Sequence, residues 1–276
     1  MTPLRLLMCE PRHFTVSYEI NPWMDATRPV DTRTALAQWH RLHDLYVDLG
    51  HHVDLIEPLP GLPDMVYAAN GATVVDGVAY GARFTHPERA PEAAAYLAWC
   101  EAAGLQTHPA SETNEGEGDL LLAGDVILAG TGLRTTREAH TEAASALGRA
   151  VVTLELVDPR FYHLDTALTV LRGLGGGSAG GVDVAYFPSA FSTASQDVLR
   201  TLFPDALLAD EADAAVLALN AVSDGENVVL AAQAVCYGHE LRERGYTTHP
   251  VDLSELLRGG GGAKCCTLVV RGAPAL

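Results

Sequence analysis

Ala72-Thr73-Val74-Val75-Asp76-Gly77-Val78-Ala79-Tyr80 reads as two short strands folded around Asp76-Gly77. Those two residues accept the left-handed backbone that a two-residue hairpin turn requires. A helix over 91–103, ended by Gly104, follows this hairpin. The same order returns downstream: two strand-like runs within 119–128 broken at Ala123-Gly124, a helix over 136–147, then a strand over 151–156. Runs 166–171 and 182–187 flank a glycine-rich link, 173–181, and precede a helix over 192–203. Strands are expected at 215–219 and 228–231, then a helical 238–245 and an extended 247–251. Upstream, 4–9 reads as a strand stopped by Pro11, and 14–24 as an aromatic and polar loop. Thr32 or Thr34 would cap a helix running to Gly50, with Leu36, Trp39, Leu42, Leu45 and Leu49 as its apolar stripe, before a strand over 53–56. Strand pairs alternating with single helices, roughly every fifty residues, give an α/β chain rather than a bundle or an all-β fold. No composition break marks a linker, so one domain over residues 1–276 is expected.

The composition narrows the partners. The chain has 276 residues, 48% of them hydrophobic, and a formal net charge of -17, with 19% charged residues. That is enough apolar sequence for a large core, and too acidic for nucleic acid or an anionic membrane surface. A cationic small molecule is tolerated and weakly attracted. The five cysteines (Cys9, Cys100, Cys236, Cys265, Cys266) are odd in number and form no CxxC spacing, against a disulfide framework or a structural zinc site. The first seven residues are short for a signal peptide and no apolar run reaches membrane length, so a cytoplasmic protein is expected. No GxGxxG or P-loop follows the first strand, and no cofactor is expected.

Three stretches carry chemistry. Arg258-Gly259-Gly260-Gly261-Gly262-Ala263-Lys264-Cys265-Cys266-Thr267-Leu268-Val269-Val270 sets a cysteine pair where a glycine loop enters a short strand. Lys264 beside Cys265 would favour the thiolate, although buried free cysteine is also common. Val157-Asp158-Pro159-Arg160-Phe161-Tyr162-His163-Leu164-Asp165-Thr166 leads into a strand in which His163 and Asp165 would share a face. Asn114-Glu115-Gly116-Glu117-Gly118-Asp119 offers three carboxylates, either an acidic turn or a binder of a guanidinium or a metal. Arg83 and Arg134 could each meet a substrate carboxylate.

Together these stretches resemble the dimethylargininases of the guanidino-group-modifying enzymes, alongside arginine deiminases and amidinotransferases. The resemblance rests on Leu62-Pro63-Asp64-Met65-Val66-Tyr67, on Glu115-Gly116-Glu117-Gly118-Asp119, on His163-Leu164-Asp165-Thr166, and on Ser254-Glu255-Leu256 followed by Cys265-Cys266. It spans essentially the whole chain. Ala69-Asn70-Gly71-Ala72 departs from it: dimethylargininases have an acidic pair in place of Ala69-Asn70, and this segment is similar instead to that of succinylarginine dihydrolases and arginine dihydrolases.

The resemblance implies a five-bladed β/α propeller (pentein fold) of ββαβ repeats. It implies a thiouronium mechanism with Cys265 as nucleophile, His163 as general acid and base, and Glu115 orienting His163 and holding the guanidinium. Asp64, Asn70, Asp165, Arg83, Arg134 and Asn21 would bind substrate. No metal is implied. The partner would be a guanidino amino acid, with no nucleic acid or membrane, and a homo-oligomer is left open. The leading expectation is hydrolysis of dimethylarginine to citrulline and dimethylamine. The alternatives are an arginine dihydrolase or deiminase, an amidinotransferase, or an arginine-sensing protein without catalysis.

Overall fold

A computed structural model describes residues 3–173 and 181–272. Its elements in chain order are β1 (Arg5–Cys9), α1 (Thr32–Asp48) and β2 (His52–Ile56), then β3 (Ala72–Val75), β4 (Val78–Gly81), α2 (Glu92–Ala102) and β5 (Gln106–His108). Next come β6 (Leu120–Ala123), β7 (Val126–Thr131), α3 (Arg137–Leu147) and β8 (Ala150–Glu155), followed by a single helical turn α4 (Leu164–Ala167), β9 (Leu168–Arg172), β10 (Asp183–Tyr186), α5 (Thr193–Leu202) and β11 (Leu207–Leu208). The last are α6 (Glu211–Ala214), β12 (Val222–Ser223), β13 (Asn227–Ala231), α7 (Val235–Glu243), β14 (Thr247–Val251) and β15 (Leu268–Val269).

The described residues form five three-stranded sheets: β15-β1-β2, β3-β4-β5, β6-β7-β8, β11-β10-β9 and β12-β13-β14. In each, a middle strand pairs antiparallel with one neighbour and parallel with the other. The parallel partner is reached through a helix (α1, α2, α3, α5 or α7), as parallel strands require a crossover. The first sheet is completed by β15, which brings the Cys265–Cys266 segment against β1. The hairpin β3–β4 forms as expected, with Asp76 at φ 50° and Gly77 at φ 82°.

Several expectations are corrected. Asp31, rather than Thr32 or Thr34, caps α1, because its carboxylate accepts from the Arg33 and Thr34 N–H groups. The buried stripe of α1 is Ala35, Gln38, Trp39, Leu42 and Tyr46; Leu36, Leu45 and Leu49 lie only partly buried at its margins. Residues 215–219 form no strand. The backbone N–H groups of 215–218 are taken by local turns, including Ala218 N–H to Asp213 O at 3.1 Å, and Leu217 adopts φ 52°. The strand falls later, at β12. The helix expected at 238–245 starts three residues earlier. The glycine-rich link falls mostly on 174–180, outside the described residues.

Candidate active site

The site is built at the ends of the inner strands, where four connecting segments meet. The turn immediately before β15 carries Cys265, α4 carries Asp165 with His163 at its N-cap, the 116–118 turn brings Glu115, and the 68–71 turn brings Asn70. All five side chains are buried, Cys265 and His163 each at 1% exposure.

His163 and Asp165 do not share a strand face as expected. Thr166 Oγ1 and N–H both bond to His163 O, and closing that one turn of helix moves β9 back to Leu168. The two side chains thereby reach different partners. His163 Nε2 lies 2.6 Å from Glu115 Oε2. Asp165 Oδ2 accepts from Cys265 Sγ at 3.3 Å.

Glu115 is the most heavily bonded of the set. Besides His163, its oxygens accept from Arg134 Nη1 at 3.1 and 3.3 Å and from Thr85 N–H at 3.1 Å. Burial alone would raise this carboxyl, but the hydrogen bond and charge of His163 and the cations Arg134 and Arg89 hold it well below the usual range. Glu115 stays ionised and fixes the imidazole. The other two acids of its cluster are used elsewhere. Glu117 accepts from Lys264 Nζ at 3.0 Å and pairs with Arg271. Asp119 accepts from Thr135 Oγ1 at 2.7 Å and from Leu164 N–H at 3.0 Å. Among the described residues no group of three or more His, Cys, Asp or Glu could hold a metal ion.

Lys264 does not activate Cys265, contrary to expectation. Its ammonium is spent on Glu117 and on Thr267 O at 3.0 Å. Burial, the Asp165 carboxylate and Cys266 push the Cys265 thiol well above its ordinary value. Cys266 is buried in the same apolar cluster as Cys265, with Trp39, Tyr46 and Val269.

The remaining expected residues divide. Asp64 is buried, accepts from Tyr18 Oη at 2.9 Å, and has Arg89 Nε 4.0 Å from the same oxygen. Arg134 is buried: it binds Glu115, donates to Ile20 O at 2.6 Å, and its guanidinium lies 4.8 Å from the Tyr162 ring centre. Arg83 is exposed and donates to Ser111 O, outside the buried set. Its two backbone bonds to Asn114 fix the strand edge, so its side chain projects to the surface. Asn21 acts as a tie: its Nδ2 donates to Gly259 O at 3.0 Å.

That tie belongs to a cover over the thiol. Tyr67 Oη donates to Leu256 O at 2.7 Å and Tyr162 Oη donates to Gly260 O at 2.8 Å. The glycines permit this closeness. A Cβ at Gly261 would stand 2.5 Å from the Tyr67 ring, and Gly260 adopts φ 91°. Gly118 serves the site similarly, since a Cβ there would meet Asn70 Nδ2 at 2.4 Å.

Two buried residues escaped the sequence reading. Arg89 donates from Nη1 to Asn70 Oδ1 at 2.8 Å and forks onto Glu92 at 3.0 and 2.8 Å. The Arg-x-x-Glu spacing at a helix start was its only signal. Asn220 contacts Cys265 directly and had none, because it falls between two segments read as strands, 215–219 and 228–231. Three buried atoms of the site have no hydrogen-bond partner among the described residues: Asp64 Oδ1, His163 Nδ1 and Asp165 Oδ1. Buried polar atoms are rarely left so, and these can accept from or donate to a polar ligand.

No family model matches the chain. It is 54% identical over 266 residues to the N(G),N(G)-dimethylarginine dimethylaminohydrolase of Mycobacterium tuberculosis, covering 96% of this chain and 85% of that protein. It is 35% identical over 274 residues to the bifunctional arginine dihydrolase/ornithine cyclodeaminase ArgZ of Synechocystis, spanning 38% of that longer protein. The crystal structure of the N-terminal domain of ArgZ, a cysteine-to-serine variant bound to substrate, superposes with a TM-score of 0.90 at 34% identity, covering 97% of this chain and 98% of that one. An asparagine-to-serine variant of the same domain, covalently bound to a reaction intermediate, matches equally, at 34% identity and TM-score 0.90 over 98% of this chain and all of that one.

Proposed function

Because this chain belongs to the dimethylargininase family, we propose that it is a cysteine-dependent hydrolase of the guanidinium C–N bond of an arginine-like amino acid, dimethylarginine being the leading substrate. The observation that carries this reading is the pairing of a buried thiol and carboxylate, Cys265 and Asp165, beside a buried imidazole and carboxylate, His163 and Glu115. A nucleophile, a proton shuttle and a fixed anion to orient the shuttle are what acyl-type substitution at a guanidinium carbon needs. A non-catalytic arginine sensor would need the carboxylates but not the thiol.

The chemistry follows from the electrostatics. The resting thiol is held protonated by burial and by Asp165. A guanidinium cation entering beside Asp165 adds the opposite charge that favours the thiolate. Sγ then forms a bond to the guanidinium carbon as its S–H proton passes to His163. His163 delivers a proton to the leaving nitrogen, the C–N bond breaks, and the amine departs. A water molecule, giving its proton to His163, attacks the same carbon; the C–S bond breaks and a ureido product remains. Asp64 Oδ1, Asp165 Oδ1 and His163 Nδ1 are the atoms we assign to the substrate. Entry requires the cover held by Asn21, Tyr67 and Tyr162 to open, since Cys265 is 1% exposed.

A second reading, arginine dihydrolase, is favoured by Asn70. Arg89 donates to its Oδ1, which leaves Nδ2 as the group facing the site, 3.4 Å from Glu115 O. An N–H donor there can bind a ureido oxygen and so support a second hydrolysis, which a carboxylate would oppose. We read residues 1–276 as one catalytic domain whose five sheets are blades of a β/α propeller; the recurring sheet pattern and the closure of β15 onto β1 support this.

Incubation with asymmetric dimethylarginine and, separately, arginine tests both readings. Citrulline and dimethylamine from the first is the expected result. Ornithine with two ammonias from arginine, and no reaction on dimethylarginine, would replace the leading reading by the second. No product from either, in folded protein, would overturn both.

A further inference from the structure

Asn220 is buried at 1% exposure and follows the turns after α6. Its side chain makes four contacts. Oδ1 accepts two backbone N–H groups, from Gly262 at 2.9 Å and from Cys265 at 3.0 Å. Only an oxygen can stand against two N–H donors, so the orientation of the amide is settled. Nδ2 is thereby directed at Asp165 O and Cys265 Sγ, both at 3.1 Å. The backbone carbonyl of Asn220 takes a third bond from this segment, Lys264 N–H at 3.3 Å. One residue thus fixes the glycine loop, the backbone of the nucleophile and the sulfur itself.

The sulfur's surroundings make that N–H consequential. From α4, the Asp165 carboxylate accepts the S–H and opposes the thiolate. Cys266 follows in the chain, and Tyr67 and Tyr162 stand nearby with their hydroxyls donating to Leu256 O and Gly260 O. Lys264 points to Glu117, and His163 is engaged with Glu115. No cationic side chain is bonded to Sγ among the described residues. A hydrogen bond to an ionised acceptor is about twice as strong as one to a neutral acceptor. The Asn220 contact therefore strengthens when the proton leaves and weakens again when the sulfur bonds to carbon.

We propose that Asn220 is a catalytic residue that stabilises the Cys265 thiolate through its Nδ2–H and, through Oδ1, holds the sulfur in line for attack. This rests on the reading of Cys265 as nucleophile. It gives the amide a part in both departures of negative charge onto sulfur: formation of the thiolate before attack, and its release when water displaces it from the thiouronium carbon.

The test uses the full chain in a Cys236→Ser background, which removes the exposed thiol. Asn220→Asp retains an oxygen for the two backbone N–H groups and replaces the Nδ2 donor by an acceptor at neutral pH. Iodoacetamide alkylation of Cys265, followed peptide by peptide in a mass spectrometer across pH without substrate, reports its thiolate. The thiolate fraction at neutral pH should fall roughly ten- to hundredfold, with the alkylation profile displaced to higher pH and kcat reduced by a similar factor while KM changes little. An alkylation profile that coincides with the parent's, in protein with parental circular dichroism, overturns the proposal. If Asn220→Asp does not fold, Asn220→Ser, which keeps a short acceptor, is judged by the same two outcomes. Cys265→Ser separates the underlying reading: turnover surviving there removes Cys265 as nucleophile, whereas the alkylation comparison still decides what Asn220 does to the thiol.

Discussion

Replacing Glu115 by glutamine removes one charge and almost no volume. The native carboxylate accepts from three groups at distances between 2.6 and 3.3 Å, and it is fully buried. The amide can keep one acceptor oxygen, and its NH2 must then face at least one N–H of Arg134, Thr85 or His163. Two consequences follow. Arg134 is left as a buried cation whose remaining contacts are Ile20 O and the Tyr162 face, and breaking one side of a buried pair costs about 3–5 kcal/mol. His163 also loses a charge-assisted hydrogen bond that fixes its ring, worth about 1.5–3 kcal/mol. Expressed in the barrier, that second loss is roughly ten- to more than a hundredfold in kcat. The two effects are read separately: unfolding in urea gives the first, and citrulline formation at saturating substrate, well below the unfolding temperature, gives the second. A Glu115→Gln protein as stable as the parent and within twofold of its kcat would refute the argument that this carboxylate both balances Arg134 and orients His163.

Cys265→Ser should abolish turnover with the fold intact, whereas Cys266→Ser, changing a residue of the apolar cluster, should retain most activity and lose some stability; the reverse pattern on activity would show the pair assigned backwards. His163→Gln should stall the reaction after attack and accumulate an adduct on Cys265, visible as added intact mass; an active variant without adduct would remove His163 from the shuttle role. Asn70→Asp should lower any ornithine-to-citrulline ratio about tenfold or more by withdrawing the Nδ2 donor, and an unchanged ratio would make Asn70 merely the partner of Arg89. Burial would raise Glu117, but Arg271 and Lys264 hold it below its ordinary 4.5. A depressed carboxyl stabilises the fold above the unfolded value and loses that contribution as pH falls through the folded one. The stability gap between parent and Glu117→Gln should therefore shrink as pH drops below about 4.5, and a gap constant down to pH 2 would contradict it.

The sequence alone carried the alternation of hairpins and helices, because hairpin turns and helix ends are written in local residues. Asp76-Gly77 forms its turn wherever the chain goes, and Gly104 can end a helix without help from another element. It also named Cys265, His163, Glu115, Asp165 and Asn70, side chains that the fold buries and links by hydrogen bonds. What it could not carry was each residue's partner. Lys264 adjoins Cys265 in the chain, yet its ammonium went to Glu117, 147 residues away in sequence. Arg134 is paired with Glu115, nineteen residues away in sequence, since a buried carboxylate needs a counter-ion. Residues 215–219 have the apolar pattern of a strand, but Asp210 capping of α6 and the turns behind it take up their backbone groups, and only that irregular path brings Asn220 to the sulfur. Spacing fixes which side chains share an element. The choice of counter-ions and hydrogen-bond partners is made among segments a hundred residues apart, by the need of each buried polar group to be satisfied once water is excluded.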